Sequence, residues 1–314
     1  MFRRFFLGRF GPIVLAALLS TAAVALESET VTFRARDGLR ITAHYYPPPL
    51  ASQRRAPVVL LIHDLGSNAG AWEPVTLPLH QAEFAILAVD LRGHADSGTT
   101  DTREAVRSRD AQILRDMQND IYGAYDWLAE RSDIDRARVA VVGAGLGSSV
   151  ALQYAARDRS VDALVCLSPG LDHPGLDPAG DLGQITGRSV LLVGTENERD
   201  ALYTLKQRGD GHVRVRLCKD QRKHGTDLLA ALPDLKSEIV ECVKTGVGRP
   251  TTSTVYGTIN SDVYHQAGSG WLDRIAPSNL RYYSSPQEAE TRGLRGAKSD
   301  GPYKRRGGSS RQRP

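Results

Sequence analysis

Short apolar runs, each ending at polar or glycine residues and separated by helix-length segments, limit this chain's fold more than any other feature. Residues 58–62, 85–89, 139–142, 163–167 and 190–193 are nearly all apolar and only a few residues long. Such runs suit strands buried on both faces of a parallel sheet, since a half-exposed strand alternates and a buried helix runs longer. Between them, residues 111–130 place Ile113, Leu114, Met117, Ile121, Ala124, Tyr125 and Leu128 on one side of a helix. Residues 147–157 predict a second helix and 226–243 a closing one. Upstream, residues 31–36 and 39–45 flank Asp37-Gly38, a hairpin signal. Residues 213–217 read as a last, more exposed strand. Strands alternating with helices in this way predict a mostly parallel α/β sheet with helices on both faces. Ligands then belong at the carboxyl ends of the strands.

The ends of the chain stand apart from this pattern. Arg3, Arg4 and Arg9 surround the start of an apolar run at residues 10–19, and Ala23-Val24-Ala25 supplies a small-x-small cleavage pattern. That is the layout of an export signal over residues 1–25, with the mature protein periplasmic or secreted. The run is short for a membrane span, and an uncleaved anchor in the inner membrane is the other reading. Arg3-Arg4-Phe5-Phe6-Leu7 also resembles a twin-arginine signal, with Phe2 and Gly8 off its usual flanks. The alternating strand and helix pattern occupies residues 28–247. A Gly/Pro/Thr stretch then leads to a small aromatic-bearing module, residues 253–298, and a Gly/Ser-rich tail, residues 299–314. Lys304, Arg305, Arg306, Arg311 and Arg313 crowd that tail and, with the signal, supply much of the net charge of +4. It reads as a solvated end, with an anionic surface as the alternative contact. Apart from Tyr303 the tail interleaves no aromatic residue with its basic ones, so nucleic acid is not expected as a partner.

Cys166 lies in an apolar run and reads as a buried thiol, whereas Cys218 and Cys242 are free to pair in an oxidising compartment. No two of the three have metal-ligand spacing, and neither a metal nor another cofactor is indicated.

The chemistry-bearing pattern is a strand, a glycine turn and a helix: Val141-Val142-Gly143-Ala144-Gly145-Leu146-Gly147. It fits G-x-S-x-G in every respect except the serine. The central residue of such an elbow is held in a strained backbone conformation that glycine adopts with little penalty. Glycine at 145 therefore relaxes the turn and removes the nucleophile together. A Gly-rich phosphate loop is the competing reading. The turn lies late in the chain, its spacing is not G-x-G-x-x-G, and no acidic residue follows at the required distance. His224 follows the last strand and precedes the closing helix, the place for a general base. The acid belongs just after residues 190–193, where Asn197 takes the aspartate position. Glu196, Glu198 and Asp200 read as solvated loop charges. The backbone N–H groups of Leu65 and Leu146 are the expected oxyanion donors, leaving a polarising pocket without a nucleophile. Of the nearby hydroxyls, Ser148 is expected to point into packing, and Ser67 and Ser149 are the others by sequence.

These segments carry a family resemblance. Leu61-Ile62-His63-Asp64-Leu65-Gly66-Ser67 looks like the HG-type oxyanion loop of α/β hydrolases, with Asp64 in place of glycine. Asp90-Leu91-Arg92-Gly93-His94-Ala95-Asp96-Ser97 is similar to their D-x-R-G-H-G-x-S segment and departs at Ala95. Leu167-Ser168-Pro169-Gly170-Leu171-Asp172 resembles a run found in the dienelactone hydrolase and serine aminopeptidase-like branch. The resemblance covers about residues 30–244. It implies an α/β-hydrolase fold and an ester-, amide- or lactone-cleaving Ser–Asp–His site, against which this chain shows Gly145, Asn197 and His224. The small module in turn resembles an Ada-type metal-binding module, from Val255-Tyr256 through Tyr264-His265 to Ala289-Glu290-Thr291-Arg292-Gly293. Its ligand positions fall on Ser269, Ala297 and Asp300, so no thiolate zinc site is expected there. The sequence thus predicts a catalytically impaired hydrolase-fold protein that binds an unidentified small molecule or cell-envelope partner. The alternative is an active hydrolase with a rearranged site built on Ser148, Ser67 or an activated water with His224.

Overall fold

The computed structural model describes residues 26–49 and 55–248, and 255–258, 261–266, 269, 271, 280–283, 286–291 and 293–298 of the C-terminal part. The expected export signal and basic tail lie outside the described residues. The hairpin forms first: β1 (Glu29–Arg34) pairs antiparallel with β2 (Arg40–Tyr46) across a turn in which Gly38 takes φ +91°. The buried runs become β3 (Ala56–Ile62), β4 (Ala85–Val89), β5 (Ile134–Ala144), β6 (Val161–Leu167) and β7 (Ser189–Thr195). The alternating run becomes β8 (Val213–Cys218), whose burial alternates as its sequence does. The eight strands lie in the order β1-β2-β4-β3-β5-β6-β7-β8. β2 pairs antiparallel with both neighbours, and β4, β3, β5, β6, β7 and β8 are parallel. This is the predicted α/β architecture, a mostly parallel sheet with helices.

Each central strand feeds two cores. In β3, Val58, Leu60 and Ile62 face one side and Val59 and Leu61 the other, because successive side chains alternate across a pleated strand. The first side is covered by α3 (Ala111–Ala129) and α4 (Leu146–Arg157), through Leu114, Met117, Ile121, Val150 and Tyr154. α2 (Thr100–Arg107), α5 (Pro178–Gly183) and α6 (Arg199–Arg208) complete that side with Val106, Leu182 and Leu202. On the other side lie α1 (Glu73–Gln81), α7 (Leu228–Ala231) and α8 (Leu235–Val247), with Val75, Leu79, Leu228, Ile239 and Val243.

The predicted closing helix is two helices. Pro233 lies between α7 and α8, with Leu232 extended at φ −116°, ψ 101°. A proline lacks the N–H to continue the ladder and pushes the preceding residue out of helical geometry. The pairing open to Cys218 and Cys242 is not formed: Cys166, Cys218 and Cys242 are all free and buried. A separate four-stranded sheet, in the order β11-β9-β10-β12, is built from β9 (Val255–Thr258), β10 (Ser261–Gln266), β11 (Leu280–Tyr283) and β12 (Arg295–Gly296), with α9 (Pro286–Thr291) between the last two.

The segment after β4 is anchored by a buried ion pair. Arg92 sends Nε and Nη2 to Asp120 Oδ1 at 3.0 and 2.7 Å, and its backbone N–H to Oδ2 at 2.8 Å. Nη1 reaches Asp37 at 2.7 Å, tying α3 and the first hairpin to the end of β4. Asp120 is fully buried on α3, so removing its charge strands a buried guanidinium. Asp120→Asn is therefore expected to lower the unfolding free energy by about 3–5 kcal/mol, measured by urea denaturation. A loss under about 1 kcal/mol would show that the pair behaves as a surface bridge.

Candidate functional site

The turn after β5 is where the sequence predicts it. Gly145 has φ +50°, ψ −118°, and its N–H donates to Leu167 O at 2.8 Å. A Cβ at Gly143 would run into the Gly147 and Ser148 backbone, and one at Gly147 into the carbonyls of Ile62 and His63. These two glycines let β5, α4 and the end of β3 close on one another, which brings residues 63–66 against the turn.

That approach delivers Asp64 into the turn. Its Oδ1 accepts the N–H of Leu65 at 2.6 Å and the N–H of Leu146 at 2.8 Å. The two donors expected to line an open oxyanion pocket do converge, but on the chain's own carboxylate. The carboxyl also fills the space above the turn: a Cβ placed on Gly145 would overlap Oδ1, Cγ and Oδ2 of Asp64. The expectation of a vacant polarising pocket is corrected accordingly.

His224 joins this group from the loop after β8. Its Nε2 lies 3.2 Å from Asp64 Oδ2, and its Nδ1 lies 2.7 Å from Glu198 Oε1. The acid partner is thus Glu198 and not Asn197, whose side-chain amide faces Gln221 O at 3.4 Å. The shift of one residue has a local cause. Residues 196–198 form a single tight turn after β7, and Glu198 folds back to accept from Thr195 N at 2.7 Å and Thr195 Oγ1 at 3.1 Å. Glu198 is 20% exposed at the side chain, so its expected role as a solvated loop charge does not hold. Ser168, at φ +49°, donates its hydroxyl to Glu198 Oε2 at 3.1 Å and accepts from Gly225 N at 2.9 Å. It fastens the acid and the residue after His224 to the end of β6.

Two further histidines hold the loop that carries Asp64, and the sequence reading gave neither a role. His63 Nε2 accepts the Leu91 N–H at 3.0 Å, so its Nδ1 carries the proton and donates to Asp64 O at 2.7 Å. His94 Nε2 accepts the Gly66 N–H at 3.0 Å, and its Nδ1 donates to Arg92 O at 3.1 Å. The rings meet edge to face, 4.7 Å between centroids. Burial pushes His63 down to about 4, and burial lowers His94 as well, so both are neutral and able to accept. In the sequence, the signal for this pairing is the presence of one histidine in each of the segments 61–67 and 90–97.

The electrostatics follow from the geometry. The hydrogen bonds to Asp64 and Glu198 raise His224 to about 10, against burial that opposes its charge. Burial also opposes ionisation of Asp64, but His224 and the N–H groups of Leu146 and Leu65 outweigh it and hold the carboxyl below its usual range. Glu198 is held low in the same way by His224, Thr195 and Ser168. At neutral pH the site is a carboxylate, an imidazolium and a carboxylate in a row. Such an imidazolium cannot take a proton from a hydroxyl.

Ser148 stays out of this row, and Ser149 Oγ lies 2.9 Å from His173 Nδ1. Ser148 is fully buried and donates to Leu167 O at 3.1 Å. Ser67 has its backbone N–H on Asp64 O at 3.1 Å. Among the described residues no group of three or more His, Cys, Asp and Glu side chains is placed to hold a metal ion. Of the module's presumed ligand positions, Ser269 is buried and accepts from Trp271 N at 3.4 Å, while Asp300 lies outside the described residues.

Comparison with known proteins agrees with the fold. A family model described as the Alpha/beta hydrolase family matches residues 59–278, and the chain belongs to that family. Among curated proteins it is similar to an uncharacterized Mycobacterium tuberculosis protein, Rv2715, at 32% identity over 130 residues, covering 41% of this chain and 34% of the relative. A second, Rv2307c of the same organism, is 27% identical over 150 residues, 48% of each chain. The chain therefore spans about a third to a half of the length of these relatives. Among solved structures it is similar to dienelactone hydrolase from Anabaena variabilis, with TM-score 0.54 and 18% identity over 70% of this chain and 96% of that one. An esterase of Pyrococcus furiosus, Pf2001, gives 0.56 and 17% over 71% and 94%. These likenesses show the fold.

The charge state of His224 has a sign that can be tested. Its folded pKa, about 10, lies above its ordinary value of 6.5. Its stabilisation is therefore fully present below 6.5 and lost as pH rises through about 10. Asp64 and Glu198, held low, contribute above the ordinary carboxylate range and lose that contribution as pH falls through their folded values. The stability difference between wild type and His224→Gln is expected to peak between about pH 5 and pH 6.5 and to shrink toward pH 10, read by urea unfolding at each pH. A difference that grows with pH means that His224 is neutral in the fold.

Proposed function

We propose that this chain is an exported α/β-hydrolase-fold protein that is silent in acyl transfer and binds a ligand or partner in the cell envelope. The strand-end surface around Asp64 and His224 and the small C-terminal sheet are its two candidate surfaces. The observation that carries the reading is the Asp64 carboxylate, seated on the N–H groups of Leu65 and Leu146 in the space a side chain at 145 would need. Acyl transfer requires a nucleophile, a base that can accept its proton, and free donors for the oxyanion. Position 145 is glycine, His224 is already protonated, and the donors are occupied. Losing a serine nucleophile alone costs on the order of 10⁶ in kcat. The dienelactone hydrolase and the esterase among the structural neighbours raise the expectation of ester cleavage, and these residues weigh against it. A rearranged serine site is weighed down by the buried, bonded state of Ser148. Export rests on the arginines and apolar run of residues 1–25.

The test is a panel of short activated esters against four proteins: wild type, Gly145→Ser, Asp64→Gly and the double variant. Wild type and Asp64→Gly lack a nucleophile and are expected to be inert. Gly145→Ser alone is also expected to be inert, because its side chain collides with Asp64. Only the double variant has both an open pocket and a hydroxyl beside His224, and it is expected to turn over or to trap an acyl or phosphonyl group. Ester turnover by the wild type that disappears in His224→Ala sinks the reading.

A further inference from the structure

A second group of charged side chains lies at the amino ends of the last three strands, at the opposite end of the sheet from Asp64. Arg214 and Arg216 alternate with apolar residues along β8, so both lie on one face of the strand, the face toward α8. Glu238 and Glu241 are three residues apart on α8 and share a face of the helix. The sequence therefore supplies two rungs between strand and helix, and the structure closes one of them. Arg216 Nε meets Glu238 Oε1 at 3.5 Å. Arg214 makes no ion pair and no hydrogen bond among the described residues, and Glu241 accepts the Thr245 hydroxyl at 3.2 Å.

Where the second rung stays open there is a cavity of about 440 Å³, walled by Arg214, His212, Glu241 and Asp162. That is the size of a small-molecule site. Its shape has a backbone cause. Gly246, at the end of α8, lies so close to β6 that a Cβ there would overlap that of Ala163. The helix end is thus held down on β6. Toward β7 and β8 the wall carries Gly187 and Gly211, where a Cβ would meet nothing within 4 Å. Asp162 stands on the β6 side, with Oδ2 accepting the Val139 N–H at 3.3 Å and no hydrogen bond to Oδ1 among the described residues. Burial pushes this carboxyl up to about 7, and the Val139 N–H, Arg188 and Arg138 do not offset it. A carboxyl in that state lacks a counter-charge, which a cation from solution can provide.

We propose that this cavity binds a free basic amino acid, its carboxylate on Arg214 and its two ammonium groups on Asp162 and Glu241. The class follows from the charges that the fold leaves unmet. Asp162, Glu241 and Arg214 present two negative charges and one positive, and a lysine-like molecule presents the reverse. A simple amine leaves Arg214 without a partner, and a simple carboxylate meets two like charges. The guanidinium fork of Arg214 also matches a carboxylate, which it can hold through two parallel hydrogen bonds. Pairs on the exposed rim contribute little by themselves, so most of the affinity rests on Asp162, the least exposed of the three. The seven residues of β6 separate this cavity from the strand-end surface by roughly 20 Å. The inference therefore stands apart from the reading of Asp64 and His224.

The experiment is isothermal titration calorimetry of the full chain with L-lysine, beside cadaverine and ε-aminocaproate, which lack its carboxylate and its α-ammonium group. L-lysine is expected to bind with a millimolar or tighter dissociation constant, and each of the other two about 10-fold more weakly. Asp162→Asn and Glu241→Gln are each expected to weaken L-lysine binding, the first by about 10-fold. Arg214→Ala is expected to abolish the preference for L-lysine over cadaverine. Arg214 and Glu241 are exposed, so their variants keep the fold and serve as the test even if Asp162→Asn folds poorly. Absence of L-lysine binding overturns the proposal, and so does cadaverine binding as tightly as L-lysine. Binding that is unchanged in Arg214→Ala and Glu241→Gln but lost in His224→Gln belongs to the strand-end surface and overturns it as well. None of these outcomes alters the reading of the acyl site, which the ester panel tests separately.

Discussion

The site is organised by a single carboxylate held between two backbone N–H groups and an imidazolium. Asp64 has no freedom to choose another place: its carbonyl oxygen is fixed by His63 Nδ1 and by the Ser67 N–H, and its Oδ1 by Leu65 and Leu146. Given that position, the next residue of the turn after β5 cannot carry a Cβ, and His224 cannot remain neutral. Glu198 and Ser168 then settle the far side of the imidazole. With the three groups ionised, two carboxylates and one imidazolium leave one net negative charge at the strand ends. Anionic ligands are disfavoured at such a site and neutral or cationic ones are not, because the local charge acts in a partly desolvated setting.

Asp64 and Gly145 are physically one change. Set against the G-x-S-x-G and HG patterns, each looks like an isolated departure. In the fold they occupy the same volume: the carboxyl at 64 needs glycine at 145, and a serine at 145 needs a small residue at 64. An elbow residue with φ +50° also tolerates glycine at little cost. The loss of the hydroxyl and the arrival of the carboxylate therefore support each other sterically. The same pairing keeps the oxyanion donors satisfied in a buried setting, where unpaired N–H groups are costly.

The scaffold makes this arrangement rigid. β3, β5 and β6 run side by side and end at the three segments that carry Asp64, Gly145 and Ser168. Behind them the edge-to-face pair of His63 and His94, and the buried Arg92–Asp120 pair, fix the loops after β3 and β4 to each other and to α3. Preorganised loops of this kind place polar groups without a reorganisation cost at the moment of binding or reaction.

The sequence by itself determined the elements that depend on local pattern. Uniform apolar runs became the buried strands, the Asp37-Gly38 turn became the hairpin, and the glycines at 143, 145 and 147 marked the elbow. It also placed His224 in the loop after the last strand. Local pattern was blind to Pro233 only because the apolar spacing continues past it, while the missing N–H breaks the helix there. Tertiary structure decided the chemistry. Asn197 and Glu198 are neighbours in a tight turn, and which of them meets His224 depends on a backbone path that spacing does not encode. The role of Asp64 was equally hidden, because 82 residues separate it from the Leu146 N–H it accepts. A side chain's partners across such a distance are set by how strands lie side by side, and only the folded sheet brings the two loops into contact.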